Sequence, residues 1–194
     1  MNKRCVDLSD EQYRECVSLL RNGFMLDGVK VRPNPRIATI AVVQTCLGLR
    51  LGDVLQLRMS SFVHDGAKWK LDIVEQKTKK ARPFTVPVEV YSFIQQYAYD
   101  FGIGKDAKLF DISARQVERH LNKVFTKMGL PLRKFGSHSF RKLFATRAYV
   151  ESGYDIRLVQ TLLQHSSPMI TQLYIGITQQ KVEDALIKAA SCIA

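Results

Sequence analysis

The segment from Ile37 to Leu49 is the longest apolar stretch of the chain, interrupted only by two threonines and a glutamine. Pro35 is suited to the first turn of a helix over IATIAVVQTCL, and Gly48 is suited to its end. A helix that is apolar on nearly every side must be surrounded by other elements. The segment is well short of the ~20 residues that a membrane span needs. It therefore predicts the central helix of a globular core.

Length and composition fit this interpretation. The chain has 194 residues, of which 46% are hydrophobic, enough for one good-sized domain or two small ones. The N-terminal sequence MNKRCVDLSDEQ has no apolar signal-peptide core, so we expect a soluble protein of the cytoplasm. The cysteines show no C-x-x-C spacing and no histidine is paired with one, which predicts reduced thiols rather than a zinc site or a disulfide framework. The four cysteines are Cys5, Cys16, Cys46 and Cys192.

Positive charge is unevenly distributed along the chain. The net charge is +11, which favours a polyanionic partner, usually nucleic acid. Eight Lys or Arg residues and no acid lie between Arg119 and Val150. Four more, again without an acid, lie between Gln76 and Val88. Solvated helices usually mix charges of both signs, so these two stretches indicate a surface that faces phosphates rather than an ordinary solvated one.

The remaining pattern predicts a mainly helical domain with a small antiparallel sheet. Ser9 or Asp10 can cap a first helix that ends before Gly23, and a short helical turn is expected over VLQLRM. The alternating segment KWKLDIVEQ and the segment RPFTVP predict two strands joined by a turn at KTKKA. Further helices are expected near Glu89–Tyr99, Ser113–Met128, Ser137–Glu151, Asp155–Leu163, Pro168–Tyr174 and Gln179–Ala190. The fold class is thus α+β, with helices predominating.

Four separated segments carry the residue types suited to phosphate chemistry. They are LGLRLGDVLQL, VEQKTKKARPFTVP, HSFRKLFATRA and LLQHSSPMITQLYIG. In this order and spacing the sequence resembles the tyrosine recombinase (phage integrase) family. That family has an arginine after Gly-Leu at a helix start, a lysine in a β-hairpin, H-x-x-R, and L-x-H followed about nine residues later by a tyrosine. The resemblance runs from about Asp7 to the C-terminus and implies that family's catalytic fold.

The resemblance assigns six catalytic residues, namely Arg50, Lys77, His138, Arg141, His165 and Tyr174. Tyrosine would attack a phosphodiester and form a 3′-phosphotyrosyl intermediate, which conserves the bond energy for rejoining without ATP or a metal ion. Arginines stay charged and donate paired hydrogen bonds to phosphate oxygens. Lysine would protonate the departing 5′ oxygen, and the histidines would hydrogen-bond phosphate or shuttle a proton. No cofactor is expected.

Several assignments leave alternatives open. Asp53, three residues after Arg50, is expected to orient that arginine, which by itself would suggest only a surface ion pair. Lys77 aligns best with the family's lysine, and Lys79 takes its place if the hairpin register slips. Additional DNA contacts are expected from Lys79, Lys80 and Lys142. Tyr174 is one of seven tyrosines, most of them structural, and only its spacing from His165 distinguishes it.

One departure from the family's pattern concerns backbone geometry. Gln164 stands where many relatives have glycine, and at a positive φ it would cost about 1 kcal/mol.

The family's organisation implies further expectations. Most members carry an N-terminal core-binding domain of about a hundred residues, so this chain is predicted to be the catalytic domain alone, either excised or naturally short. Family members act as tetramers on DNA, and we expect a monomer in solution. An apolar stripe in the last predicted helix would dock on a neighbouring subunit or pack on its own domain. That stripe consists of Val182, Ala185, Leu186 and Ala189.

Three functions fit the sequence. The leading hypothesis is a site-specific recombinase that integrates, excises or inverts DNA, as mobile elements require. A nicking and resealing activity like that of type IB topoisomerases uses the same chemistry. A DNA-binding module without catalysis is disfavoured because all six chemical residues are present.

Overall fold

The structure is a computed structural model that describes residues 5–75, 81 and 84–175. The chain forms two compact units, residues 1–144 and 145–194, which are described separately below. The predictions for the hairpin turn and the last helix, including its apolar stripe, lie outside the described residues, as does Cys192. The other cysteines are free thiols, of which Cys16 is buried and Cys46 exposed. Within the described ranges, no helix is long and apolar enough to cross a membrane.

Two helices of thirteen residues open the first unit and confirm the predicted bounds. Helix α1 (Asp10–Asn22) begins with a reciprocal capping box between Ser9 and Gln12 and ends at Gly23. Helix α2 (Pro35–Leu47) is capped by the Asn34 side chain, which accepts a hydrogen bond from the backbone of Ile37. Nine residues of α2 are buried, so it is the central helix expected from its all-round apolar character.

The first unit contains more strands than predicted. Strands β1 (Phe24–Leu26) and β2 (Val29–Val31) form a hairpin around Asp27 and Gly28, which both have positive φ. Asp-Gly is a strong signal for this turn, and the sequence interpretation overlooked it. Strands β3 (Phe62–Asp65), β4 (Lys68–Leu71) and β5 (Phe84–Val86) form an antiparallel sheet in that order. The two strands predicted on either side of KTKKA are therefore confirmed as β4 and β5, and β3 was missed.

The predicted helical turn over VLQLRM is wrong in position. Helix α3 covers Leu51–Val54, immediately after Arg50, and a separate 3-10 turn covers Met59–Ser61. Leu51, Val54 and Leu55 have helical spacing, but buried positions continue to Leu57 beyond the helix, so the apolar pattern did not locate its end. Leu51, Leu55 and Leu57 all belong to the core.

Two longer helices complete the core of the first unit. Helix α4 (Val88–Asp100) packs on β4 and α2, and helix α5 (Ala114–Lys127) packs on α1. A capping box between Ser113 and Gln116 starts α5. Among the largest fully buried side chains are Phe110, Phe125, Phe140 and, unusually for a charged residue, Arg141.

Three helices lie at or beyond the boundary between the units. Helix α6 (His138–Glu151) contains the boundary, while α7 (Ile156–Leu163) and α8 (Pro168–Tyr174) belong to the second unit and pack against each other. Asp155 caps α7 by accepting hydrogen bonds from the backbone N–H groups of Arg157 and Leu158. The mainly helical α+β class predicted from the sequence is confirmed.

Candidate active site

The turn between α2 and α3 holds the first predicted arginine. Gly48 ends α2 with a left-handed backbone, at φ 59° and ψ 25°. A Cβ at this position would come within 2.4 Å of the ring of Phe144, so both the backbone and the packing require glycine. Two residues later, Arg50 is the N-cap of α3 with an extended backbone. The Gly-Leu-Arg sequence therefore lies at a helix start, as the sequence predicted.

Arg141, the second predicted arginine, reaches the same turn from α6. Its side chain is fully buried and donates from Nη1 to the carbonyl oxygen of Gly48, across a separation of 93 residues. A buried guanidinium needs acceptors of this kind because it stays charged. Arg50 and Arg141 are thus brought to one turn of the first unit, although 91 positions separate them in the sequence.

The buried carboxylate of Glu75 forms an ion pair with the partly exposed Arg50, from Nη1 of the arginine to Oε2 of the carboxylate. Glu75 was missed among the sequence candidates, where Asp53 was expected to orient Arg50. The sequence did contain a signal that Glu75 is buried, because the strand alternation that turns Leu71 inward also turns Ile73 and Glu75 inward. A carboxylate on the buried face of a strand segment requires a charged or hydrogen-bonding partner. Arg50, Glu75, Arg141 and Gly48 are called the arginine cluster below.

The start of α6 is fixed by contacts from other parts of the first unit. The carboxylate of Glu118, on α5, accepts from the backbone N–H of Ser137, with distances of 3.3 and 3.4 Å to its two oxygens. Ser139 Oγ accepts from the backbone of Gly136 at 3.3 Å and lies 3.0 Å from Cys5 Sγ. These contacts anchor the first turn of the helix that carries the predicted H-x-x-R residues.

The two residues of that motif have different environments. His138, the first residue of α6, is exposed, and Arg141 one turn later is buried. Burial raises the pKa of the Cys5 thiol. The charge of the partly exposed Lys142 offsets part of this increase. The predicted role of Lys142 in binding DNA stays a prediction, as do the catalytic roles of the other residues.

The end of α7 determines the backbone around His165. Gln164 adopts the left-handed conformation, at φ 51° and ψ 41°, as expected if this position demands a positive φ. The backbone N–H of His165 bonds to the carbonyl of Gln160 at 3.1 Å, and that of Gln164 bonds to Thr161 at 3.1 Å. This pair of hydrogen bonds is a Schellman motif, which ends the helix and turns the chain toward α8.

His165 and Tyr174 contact each other within the second unit. Their ring centroids lie 4.6 Å apart at an interplanar angle of 58°. His165 is buried, and its Nδ1 shares a hydrogen bond of 3.0 Å with the hydroxyl of the fully buried Thr171. Thr171 was not among the sequence candidates. Its place one helical turn before Tyr174 on α8 could have indicated that it lies near the tyrosine. The residues from Gln164 to Tyr174 are called the tyrosine segment below.

Three predicted residues, Lys77, Lys79 and Lys80, lie outside the described part of the chain. The choice between Lys77 and Lys79 as the catalytic lysine therefore stays open. Val74 and Ala81, which border this part of the chain, form an isolated antiparallel bridge.

The two units carry chemically different groups. In the first unit, guanidinium groups are held at a buried turn, and such groups can neutralise an anion. In the second unit, a tyrosine ring lies beside a buried histidine, a residue type that can accept a proton.

Comparison with known proteins gives the family. Residues 33–181 match the model of the phage integrase family. The probable integrase/recombinase YoeC of Bacillus subtilis (strain 168) is 31% identical over 144 residues, which cover 71% of this chain and 75% of that protein. The tyrosine recombinase XerC of Leptospira interrogans is 30% identical over 152 residues, covering 73% of this chain and 47% of that protein. The chain thus spans about half the length of XerC.

The fold is similar to that of solved recombinases. The XerH site-specific recombinase, bound to the palindromic difH substrate in a post-cleavage complex, superposes with a TM-score of 0.70 at 22% identity. That comparison covers 95% of this chain and 53% of XerH. The chain belongs to the phage integrase family, whose members are tyrosine recombinases, enzymes that cleave and rejoin DNA. The resemblance inferred from the four sequence segments is thereby confirmed.

Proposed function

We propose that this chain is the catalytic domain of a site-specific DNA recombinase in which Tyr174 is the nucleophile. The observation that carries the proposal is the contact between Tyr174 and His165. Of the seven tyrosines in the chain, this one lies 4.6 Å, ring to ring, from a buried histidine whose other side is held by Thr171. A phenol beside an imidazole has a proton acceptor close at hand, which is the usual requirement for an activated hydroxyl nucleophile.

The reaction follows from the chemistry of these groups. Tyr174 Oη attacks the scissile phosphorus and forms an O–P bond, while the bond to the 5′ oxygen breaks. The arginines neutralise the negative charge that develops on the non-bridging oxygens. Lys77 gives the departing 5′ oxygen its proton, and His138 donates a hydrogen bond to the phosphate. The 3′-phosphotyrosyl bond then accepts a 5′ hydroxyl from a second strand, so rejoining needs neither ATP nor a metal ion.

The charge distribution supports a duplex DNA partner. The net charge of +11 is concentrated in two stretches, one of which includes Lys79 and Lys80 and the other Lys142. Backbone contacts of this kind make affinity fall steeply with salt, by a slope of about −0.9 in log K per phosphate contacted. We infer a cytoplasmic enzyme that is monomeric alone and tetrameric on DNA, since exchange between two duplexes requires four cleavages.

The first experiment looks for the covalent intermediate. The protein is incubated with a pool of duplexes that contain randomised core sequences and a nick, so that the short cleaved fragment diffuses away. SDS-resistant adducts are captured, and their DNA is sequenced to obtain the preferred site. The proposal predicts adducts with the native chain and none with Tyr174→Phe. An adduct that survives this substitution, or a pool that yields none with the native chain, contradicts the proposal.

A second measurement separates recombination from simple nicking and resealing. A plasmid with two copies of the recovered site is incubated with the protein, and its topology is analysed by electrophoresis. A recombinase exchanges the flanking segments between the two sites. Relaxation of supercoils without exchange would instead favour the activity typical of type IB topoisomerases.

A further inference from the structure

Glu75 is a fully buried carboxylate that pairs with Arg50, one of the predicted catalytic residues. Its side chain is 0% exposed, while that of Arg50 is 16% exposed. The guanidinium therefore presents one edge to a buried carboxylate and keeps another part at the surface. A guanidinium carries five N–H donors in a fixed plane, so a hold on one edge fixes the direction of the others.

Glu75 lies beside the hairpin and is paired with Arg50. Val74, the preceding residue, bridges to Ala81, and the catalytic lysine predicted at position 77 lies two residues beyond Glu75. The buried carboxylate is thus part of the base of the hairpin, and its partner is the N-cap residue of α3. The ion pair therefore links the start of α3 to the strand segment that ends at Glu75.

The other ion pair of the same region provides a contrast. Lys70 and Asp65 pair on β4 and β3, with side chains 44% and 61% exposed. Exposed pairs contribute little to stability and are screened by salt. A buried pair behaves differently, because removing one charge leaves the other uncompensated in a poorly solvated position. The Arg50–Glu75 pair is therefore expected to control the geometry of its members, and the Lys70–Asp65 pair is not.

We propose that Glu75 is a positioning residue that orients the guanidinium of Arg50 toward the scissile phosphate. This inference rests on the proposed function, since it assigns Arg50 a phosphate to bind. Glu75 itself does not touch the DNA. It acts through Arg50, and a misplacement of about 1 Å at a reacting centre is enough to slow a reaction about a hundredfold.

The test is a cycle of variants measured in single-turnover cleavage at saturating DNA. Glu75→Gln keeps the shape and the hydrogen-bond acceptor but removes the charge, and Glu75→Asp keeps the charge but withdraws it by one methylene. Both are made in the native chain and in Arg50→Ala. The matched control is Asp65→Asn, which removes the exposed pair. DNA affinity and thermal unfolding are measured for every variant, and cleavage is assayed well below each unfolding temperature.

Glu75→Gln and Glu75→Asp are each expected to slow adduct formation about tenfold to a hundredfold, while the Kd for DNA changes less than about threefold. On the Arg50→Ala background the same changes should have almost no further effect, because the group they position is gone. Asp65→Asn should cleave at the native rate. With a substrate that has a neutral methylphosphonate at the scissile position, the losses of cleavage rate in Glu75→Gln and Arg50→Ala should both be smaller, since there is less charge to neutralise.

The inference is overturned if the Glu75 variants cleave at the native rate. It is equally overturned if their cleavage rates fall by the same factor with and without Arg50, or by the same factor on the native and the neutral substrate. Glu75 would then act only on the fold. If Glu75→Gln does not fold, Glu75→Asp in the same cycle decides the matter. Failure of the proposed function is separate, because it would appear as an adduct that persists in Tyr174→Phe.

Discussion

The arginine cluster and the tyrosine segment are assembled in different ways. In the arginine cluster, contacts join residues 25 and 93 positions apart, and each involves a charged guanidinium. In the tyrosine segment, the hydrogen bond between His165 and Thr171 spans six positions and joins an imidazole to a hydroxyl. The first arrangement depends on the tertiary fold of a whole unit, and the second on the ends of two short helices.

This difference has a consequence for how the two regions tolerate change. Groups that neutralise a developing charge must be fixed before the reaction, because reorganising them during it would cost part of their benefit. Buried long-range contacts provide such rigidity. A nucleophile must instead approach and leave the phosphorus, and a short local segment suffices to present it. Substitutions in the arginine cluster should therefore damage both folding and cleavage, whereas those in the tyrosine segment should change stability by no more than about 1 kcal/mol.

The largest effect is expected for Arg141→Lys. Lysine keeps a positive charge but lacks the planar pair of donors, so it cannot bond the Gly48 carbonyl and a phosphate in the same way. Loss of one such stabilising donor typically costs about 10²- to 10³-fold in rate. Single-turnover adduct formation measures the loss, and thermal unfolding should show a lower midpoint. The exposed Arg133→Lys is the matched control. A cleavage rate within threefold of native would show that Arg141 is structural only.

A smaller effect is expected for Thr171→Val, which keeps the side-chain shape and removes the hydroxyl bonded to His165. The imidazole loses the contact that fixes its orientation beside Tyr174, and we expect cleavage to slow by about tenfold at unchanged DNA affinity. Losing the hydrogen bond should also lower the free energy of unfolding by about 1 kcal/mol.

The control for this change is Thr161→Val on α7. The Thr161 hydroxyl also donates a hydrogen bond, to the carbonyl of Arg157 at 2.9 Å, but the residue is exposed. Its removal should leave both cleavage and stability close to native. Equal losses in the two variants would mean that Thr171 has no special relation to His165.

The smallest effect is a gain in stability from Gln164→Gly. Gln164 has φ 51°, where any residue with a Cβ is strained and glycine is not. The free energy of unfolding should rise by about 1 kcal/mol, measured by denaturant titration. Gln164→Ala keeps the Cβ and should show no such gain. If glycine and alanine behave alike, backbone strain at this position is negligible.

The sequence predicted local features of the chain better than the contacts between distant residues. The bounds of α1 and α2 followed from caps and breakers at Ser9, Pro35 and Gly48, which act locally. The offset of nine residues correctly paired His165 with Tyr174, because a helix end and two helical turns make that distance short. Glu75 was missed because its partner lies 25 positions away, and no local rule predicts which charges meet in a tertiary fold.

The short strands likewise include some that local sequence predicts and one that depends on tertiary pairing. The hairpin of β1 and β2 was predictable from Asp27 and Gly28, and was overlooked. Strand β3 was not predictable in this way, because only Phe62 of its four residues is buried and its conformation depends on pairing with β4. Likewise, the end of α3 at Val54 was not predictable locally, because buried positions continue to Leu57 beyond the helix.

The central claim is that Tyr174 carries the DNA between cleavage and rejoining, and the most direct test is to identify the linked residue. The SDS-resistant adduct is digested with nuclease and protease, and the nucleotide-bearing peptide is sequenced by mass spectrometry. The account predicts a nucleotide joined through its 3′ phosphate to the phenolic oxygen of Tyr174. A nucleotide on any other side chain, or one attached through its 5′ phosphate, would contradict it.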